Sequence, residues 1–292
     1  MTLAATADIV ASAIAKDTAV LAFNAITVEH AEGIAEGAER AGVAALIQIS
    51  ENTVHFHGGR IAPIVAACAR IAAQSSATLA VHLDHFQDAA LLDEALGSAA
   101  DLGVTSIMID AAHLSYRDNV EQTRAFTARA HVAGLWVEAE LGEVGGKGET
   151  VGAHARGART RPDEAAAFVT DTGVDGLAVA VGSSHAMTTR TARLDVELIA
   201  ELAAAVTTPL VLHGSSGVPD DQLVEAVRAG MRKINVGTAL NVAYTGAVRT
   251  VLDADPALVD PRRYLTVARQ AVGDTVAELC RVVSAPAPVE AQ

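Results

Sequence analysis

The chain has almost no cysteine: two in 292 residues, Cys68 and Cys280, far apart. That excludes a disulfide framework and makes a reducing cytosol the expected compartment. It has no excess of basic charge, with 21 Lys and Arg against 35 Asp and Glu and a formal net charge of −14. A nucleic-acid footprint is basic, so no nucleic-acid partner is expected. The acidic balance favours solubility and says little more. No run is long and apolar enough to span a bilayer, so no membrane association is expected. The N-terminal stretch "MTLAATADIVASAIAKDTAV" lacks a basic start and is interrupted by Asp8, Lys16 and Asp17. It is not read as a secretory signal. Linkers are missing too, and residues 1–292 are predicted to form one domain.

What is there is a globular profile, 51% hydrophobic and 19% charged. A pattern recurs with a period of roughly 30 residues: a short apolar run, a polar or Gly-containing tip, then an amphipathic stretch. The runs are "AVLAFN", "AALIQIS", "TLAVHLDH", "SIMIDAA", "LWVEAELG", "GLAVAVG", "PLVLHGSS" and "RKINVGT". Most are apolar without strict alternation, as strands buried on both faces should be. Between them lie helical stretches. "LDVELIAELAAAV" sets Ile199, Leu202, Ala203 and Val206 on one face. "VPDDQLVEAVRAG" begins near Pro219 and stops at Gly230. Eight such alternations predict a (β/α)8 TIM barrel, with a doubly wound open sheet as the alternative. The barrel core is expected over about 18–254, followed by a C-terminal helical extension over about 255–283.

In such a barrel, chemistry sits at the C-terminal strand ends. Those ends carry Asn24, Ser50, Asp84 with His85, Asp110, Glu140, His185, His213 and Asn235. Water-facing ends are polar anyway, but three histidines and several carboxylates above mostly Ala, Val, Leu and Ile point to a site. Neutral imidazoles from separate strands suit zinc and leave a fourth position for water or substrate. Alternation puts Asp84 and His85 on opposite faces. Both reach one site only if the strand has ended and the loop turns them inward. His82 reads as support or packing.

Two segments suit a phosphate: "HGSSGV" after the seventh strand and "NVGT" after the eighth, where barrels commonly hold one. Their Gly and Ser residues let backbone N–H groups and hydroxyls approach an anion. "HFH" at 55–57 has a metal-like spacing but lies on a separate loop. The segment "GGKGETVGAHARGARTRP", 145–162, reads either as a mobile lid over the catalytic end or as a plain surface loop.

Together "HLDH", "VEAELG", "LAVAVGSSH", "LVLHGSSGV" and "KINVGT" resemble the class II, metal-dependent ketose-bisphosphate aldolases. The match runs in order over nearly the whole chain, including "DPRRYLTVARQAV". The resemblance implies that His85, His185 and His213 hold Zn2+ and that Asp84 exchanges protons with substrate. It places Glu140 and Asp110 where the metal has an alternate site. Gly214, Ser215, Ser216, Asn235, Val236, Gly237 and Thr238, with the Ala186 backbone, fall where the family grips the dihydroxyacetone phosphate end. A monovalent cation beside that phosphate is a further expectation. Asn24 and Ser50 line the other half of the sugar phosphate, and Arg262 is a distal phosphate partner, from this chain or a neighbouring subunit. A cytoplasmic homodimer or homotetramer is implied. Three positions depart from the family: Ala186 stands for a usual Gly, and Gly237 for a usual Asp, Asn or Ala. The lid's acidic pair is replaced by Lys147-Gly148, leaving Glu149 as the first acid and the candidate for the C3 proton.

The implied reaction is reversible cleavage of fructose or tagatose 1,6-bisphosphate to dihydroxyacetone phosphate and glyceraldehyde 3-phosphate, with a deoxy-ketogluconate phosphate also compatible. A Schiff-base route would need one of only three lysines, Lys16, Lys147 or Lys233. A barrel hydrolase would use the same histidines but not two phosphate loops. A non-catalytic partner subunit would have lost the ligands.

Overall fold

Strands that are apolar on both faces must be covered on both, and a closed barrel ringed by helices does this for every strand at once. The computed structural model describes residues 3–142 and 159–284. In chain order it has α1 (Thr6–Ala15), β1 (Val20–Asn24), α2 (Val28–Ala41), β2 (Ala45–Ser50), α3 (Glu51–Phe56), α4 (Ile61–Gln74), β3 (Leu79–Phe86), α5 (Ala89–Leu102), β4 (Val104–Ile109) and α6 (Tyr116–Val132). There follow β5 (Trp136–Leu141), α7 (Pro162–Thr172), β6 (Gly176–Val179), α8 (Val196–Ala205), β7 (Leu210–Leu212), α9 (Asp220–Ala229), β8 (Met231–Val236), α10 (Thr238–Ala254) and α11 (Pro261–Ser284). The eight strands pair in sequence order, all parallel, and β8 closes on β1 with Val20 opposite Lys233. The TIM barrel and its helical extension are therefore as the sequence predicts. The open sheet is excluded by the β1–β8 ladder.

Alternation sorts the strand residues into two sets. Outward side chains such as Phe23, Ile47, Ile49, Leu83, Ile107, Val137, Leu177 and Ile234 pack under the helices in one apolar layer. Each such side chain, fully buried, contributes roughly 1.5–3 kcal/mol. Inward side chains near the strand starts, Val20, Ala22, Leu46 and Ala80, pack against Ile9, Val10 and Ala13 of α1. Helix α1 thus stoppers the N-terminal mouth, and the hydroxyls of Thr6 and Ser106 share a hydrogen bond of 2.7 Å. The apolar residues Ile9, Val10 and Ala13 of the N-terminal stretch are the buried stripe of this helix.

Above that stopper the barrel interior turns polar. Gln48, His82, Ser106, Glu138 and Lys233 are all fully buried there. Gln48, His82, Glu138 and Lys233 sit one inward step below Ser50, Asp84, Glu140 and Asn235, two positions earlier on their strands.

The extension packs closely. A Cβ on Gly37 of α2 would lie 2.6 Å from the Gly273 carbonyl oxygen of α11, so the two helices touch through backbone. By contrast, α10 buries only Leu240 among its 17 residues. No described helix is long and apolar enough to cross a membrane.

Candidate metal centre

The end of β3 resolves the alternation problem. The strand does not stop before His85. It runs on to Phe86, but its pairing with β4 slips between Leu83 and Phe86. His85 takes a left-handed conformation, φ 54°. A bulged residue of this kind re-aims side chains locally, so Asp84 and His85 both point to the barrel mouth. The expectation that a loop would turn them inward is corrected to a bulge within the strand.

His185 comes from the loop after β6, and His213 directly follows β7. The three rings cluster, with centroids 5.3 Å apart for His85–His185, 4.7 Å for His85–His213 and 5.8 Å for His185–His213. One ligand atom each from His85, His185, His213 and Glu140 lie within 4.8 Å of one another. Three nitrogens and one carboxylate oxygen at that spacing fit a borderline divalent cation. Each of two rings is also held from behind. His85 Nδ1 donates to Asp110 Oδ2 at 2.8 Å. His213 Nε2 donates to Glu138 at 2.9 Å, and its Nδ1 lies 2.8 Å from Glu140 Oε2 on the side of the ligand group. Carboxylates behind ligating imidazoles are the usual way a metal site fixes its rings. Asp110 is thus placed behind His85, outside the four-residue group.

Asp84 sits beside this group, its Oδ1 4.0 Å from His85 Nε2. Asn24 Nδ2 donates to its Oδ2 at 2.8 Å and Asn235 Nδ2 to its Oδ1 at 3.3 Å. Gln48 in turn holds Asn24 Oδ1 at 2.9 Å, and Lys233 holds Asn235 Oδ1 at 2.6 Å. Burial by itself would raise the Asp84 carboxyl. The imidazoles of His85, His213 and His82 and the Lys233 ammonium outweigh it and hold the group below the usual carboxylate range. Burial likewise opposes charge on His213, but Glu138 and Glu140 push it up to about 9. His82, buried and near Lys233, is lowered to about 3. Its Nδ1 lies 2.8 Å from Ser106 Oγ, which fits the supporting role read from sequence.

The cavity over these residues has a volume of about 490 Å³ and is lined by Asn24, Ser50, Asp84, His85, His185, Ala186 and the two Gly/Ser turns. Gly214 has φ 65°, and a Cβ there would lie 2.6 Å from the Ser184 backbone, so the loops after β6 and β7 meet only because it is glycine. The serine hydroxyls partly serve the loops themselves. Ser215 Oγ donates to the Asn235 carbonyl, and Ser216 Oγ accepts from Ala239 N–H at 3.0 Å. Gly237 and Thr238 form the N-terminal start of α10, which faces the cavity. An anion is favoured at such a helix end. The Val236 side chain packs in the outer apolar layer, so only its backbone is available to a ligand. Ala186 has a left-handed backbone, φ 59°, a conformation that glycine adopts without steric cost.

Other expectations find different places. Arg262 is exposed and bound to Asp260 at 2.8 Å, so it does not line this chain's cavity. Ser50 lines the cavity and also caps α3, accepting from Thr53 N–H at 3.2 Å. His57 of "HFH" donates to the Ile26 carbonyl at 2.8 Å, and His55 lies 3.7 Å from Glu51. Glu149 and the rest of 143–158 lie outside the described residues. Sequence reading missed Gln48 and Glu138, which the two-residue step below Ser50 and Glu140 marks. It also missed the lining residues Glu51, Asn52, Gln87 and Ser184.

A group that could hold a cation, next to an ionised carboxylate on a (β/α)8 barrel, has the parts needed to break a carbon–carbon bond beside a carbonyl. The class is therefore a metal-site-bearing aldolase, a carbon–carbon lyase. Comparison with known proteins narrows this. The "Fructose-bisphosphate aldolase class-II" family model matches residues 4–286, and the chain belongs to that family. The fructose-bisphosphate aldolase of Thermus caldophilus is 36% identical over 294 residues, covering 92% of this chain and 94% of that protein. The crystal structure of the YdjI aldolase of Escherichia coli K12 superposes with a TM-score of 0.80 at 28% identity, over 97% of this chain and 98% of that one. A Campylobacter jejuni fructose-bisphosphate aldolase shares the fold, with a TM-score of 0.79 at 18% identity over 97% and 95%.

Proposed function

We propose that this chain cleaves fructose 1,6-bisphosphate, or its C4 epimer tagatose 1,6-bisphosphate, to dihydroxyacetone phosphate and glyceraldehyde 3-phosphate, and runs the reverse condensation, with zinc as its metal. The observation that carries this is the group of His85, Glu140, His185 and His213 within 4.8 Å, set beside Asp84. When bound, a divalent cation there supplies electron withdrawal from the ketone and adjacent hydroxyl oxygens, which makes the bond to C4 breakable. Asp84 takes the C4 hydroxyl proton as the C3–C4 bond breaks and returns it to the aldehyde oxygen in condensation. Its depressed pKa keeps it ionised at neutral pH, and the two asparagine amides aim its oxygens. The turns at Gly214–Ser216 and Gly237–Thr238 hold the phosphate of the dihydroxyacetone half. Positioning of this kind supplies several kcal/mol. In condensation, a C3 proton must leave dihydroxyacetone phosphate, and Glu149 is the acid assigned to it. Lys233 is sealed beneath the site by Glu138 at 2.8 Å, which argues against a Schiff-base route.

A homodimer or homotetramer accompanies this reading. Val242 and Val267 are exposed on α10 and α11, and α10 is otherwise thinly covered. Arg262, exposed at the start of α11, would be available to a second copy. Light scattering on the purified protein tests the assembly. The function is tested by a cleavage panel over fructose and tagatose bisphosphates and a deoxy-ketogluconate phosphate, with metal content measured on the same sample. Cleavage of a bisphosphate that chelation abolishes and zinc restores is the expected result. Undiminished cleavage by metal-free protein overturns it.

A further inference from the structure

The barrel floor beneath the site contains one ammonium group. Lys233 is fully buried, and neither it nor Glu138 lines the cavity. Its Nζ lies 2.8 Å from Glu138 Oε2 and 2.6 Å from Asn235 Oδ1. Glu138, also fully buried, accepts from His213 Nε2 through its other oxygen. Asn235 donates through its amide nitrogen to Asp84. One cation therefore reaches His213 through a single intervening residue on one side, and Asp84 through a single intervening residue on the other.

A sealed ion pair is a poor stability device, because desolvation offsets much of the attraction. Its consequences for the site are more specific. The ammonium lets Glu138 remain a carboxylate in a dry interior. A carboxylate in that place fixes a proton on His213 Nε2 and leaves Nδ1 turned toward Glu140 and the other ligand atoms. The same ammonium occupies Asn235 Oδ1. A flipped amide would aim its NH2 at Nζ, donor against donor, so the NH2 is forced toward Asp84.

We propose that Lys233 is a positioning residue that, through Glu138 and Asn235, orients both the metal ligand His213 and the carboxylate Asp84. This rests on the reading that the histidine group holds a divalent metal. Lys233→Met alone strands a buried carboxylate and is liable to unfold the chain, so the informative variant is the neutral double Lys233→Met with Glu138→Gln. Zinc affinity is measured by competition with a chromogenic chelator, and kcat and KM are measured at saturating zinc. The expected result is a folded variant with zinc affinity down about 10–100-fold. At saturating zinc, kcat should fall at least about tenfold while KM stays within about threefold, because neither residue touches substrate. A variant that matches the wild type in both zinc affinity and kcat overturns the inference.

A second measurement needs no mutation. In 15N-histidine-labelled, zinc-loaded wild type, His213 should carry its proton on Nε2. A proton on Nδ1 overturns the proposal, even if the double variant fails to fold. Wild type that takes up no divalent metal overturns the metal reading as well. Wild type that binds zinc beside an unaffected variant overturns this inference alone.

Discussion

Replacing Asp84 by Asn keeps its shape, yet the surrounding amides make this the more damaging change than Asp84→Ala. Both carboxylate oxygens accept from amide nitrogens, Asn24 Nδ2 at 2.8 Å and Asn235 Nδ2 at 3.3 Å. Neither amide is free to flip, because Gln48 and Lys233 already hold their oxygens. The substituted side chain would offer one acceptor and one donor, so its NH2 must face an NH2. One buried donor then loses its partner, at a cost of about 1–3 kcal/mol. For a chain of 292 residues, an unfolding entropy of about 2.1 cal/mol/K per residue makes each kcal/mol worth about 1.6 °C. The expected loss in Tm is therefore about 2–5 °C, with metal content unchanged. In Asp84→Ala, water from the adjoining cavity can take the vacated acceptor positions, and the Tm loss should be smaller. Both variants should lose at least about 10²–10⁴ in kcat. Calorimetry on the three proteins at matched zinc, with a cleavage assay, checks this. An Asp84→Asn protein at least as stable as Asp84→Ala would refute the amide argument. More than about a tenth of wild-type turnover in either would show that another group is the base.

Purified protein should carry about one transition metal per chain, and His185→Ala should remove most of it, read by elemental analysis and a chelator-sensitive assay. Glu149→Ala should slow exchange of the C3 proton of dihydroxyacetone phosphate into heavy water by at least about tenfold with metal retained, and a rate within about twofold of wild type would return that step to Asp84 or water. His30, buried and stacked on Tyr244 at 4.4 Å, is lowered by burial to about 4, against the opposing pull of Glu29 and Asn241. The unfolded chain binds that proton more readily, so stability is intact above the ordinary value of 6.5 and falls between there and about 4, by about 3 kcal/mol. Urea midpoints at pH 7 and 4.5 should differ less in His30→Gln than in wild type. Gly37→Ala should cost about 1–3 kcal/mol by forcing α2 off α11, read as a Tm loss, and a neutral result would mean that the helices separate freely.

The barrel was legible in the sequence because both of its causes are local. A strand covered on two faces reads as an unbroken apolar run, and eight such runs with helical spacers leave few architectures that bury them all. The polar strand ends were legible for a similar reason: Asp84, His85, Glu140, His185 and His213 interrupt apolar runs where packing has no use for them. The local pattern says nothing about which carboxylate faces which ring. Glu138 meets His213 across 75 positions of chain, and Asn235 meets Asp84 across 151. Those pairings exist only once the barrel closes and its strand registers are set. Closure also placed Asp110 behind His85 and Arg262 away from this chain's cavity, and seated α1 in the barrel's lower mouth. The bulge that brings Asp84 and His85 to one face is decided by the slipped β3–β4 register, a contact between strands that no reading of "HLDH" alone contains. Lys233, read from sequence as a residue below the rim, gained its meaning from Glu138 on β5 and from Asn235 on its own strand. A buried charge is explained by what neutralises it, and that is fixed by the packing of the whole barrel.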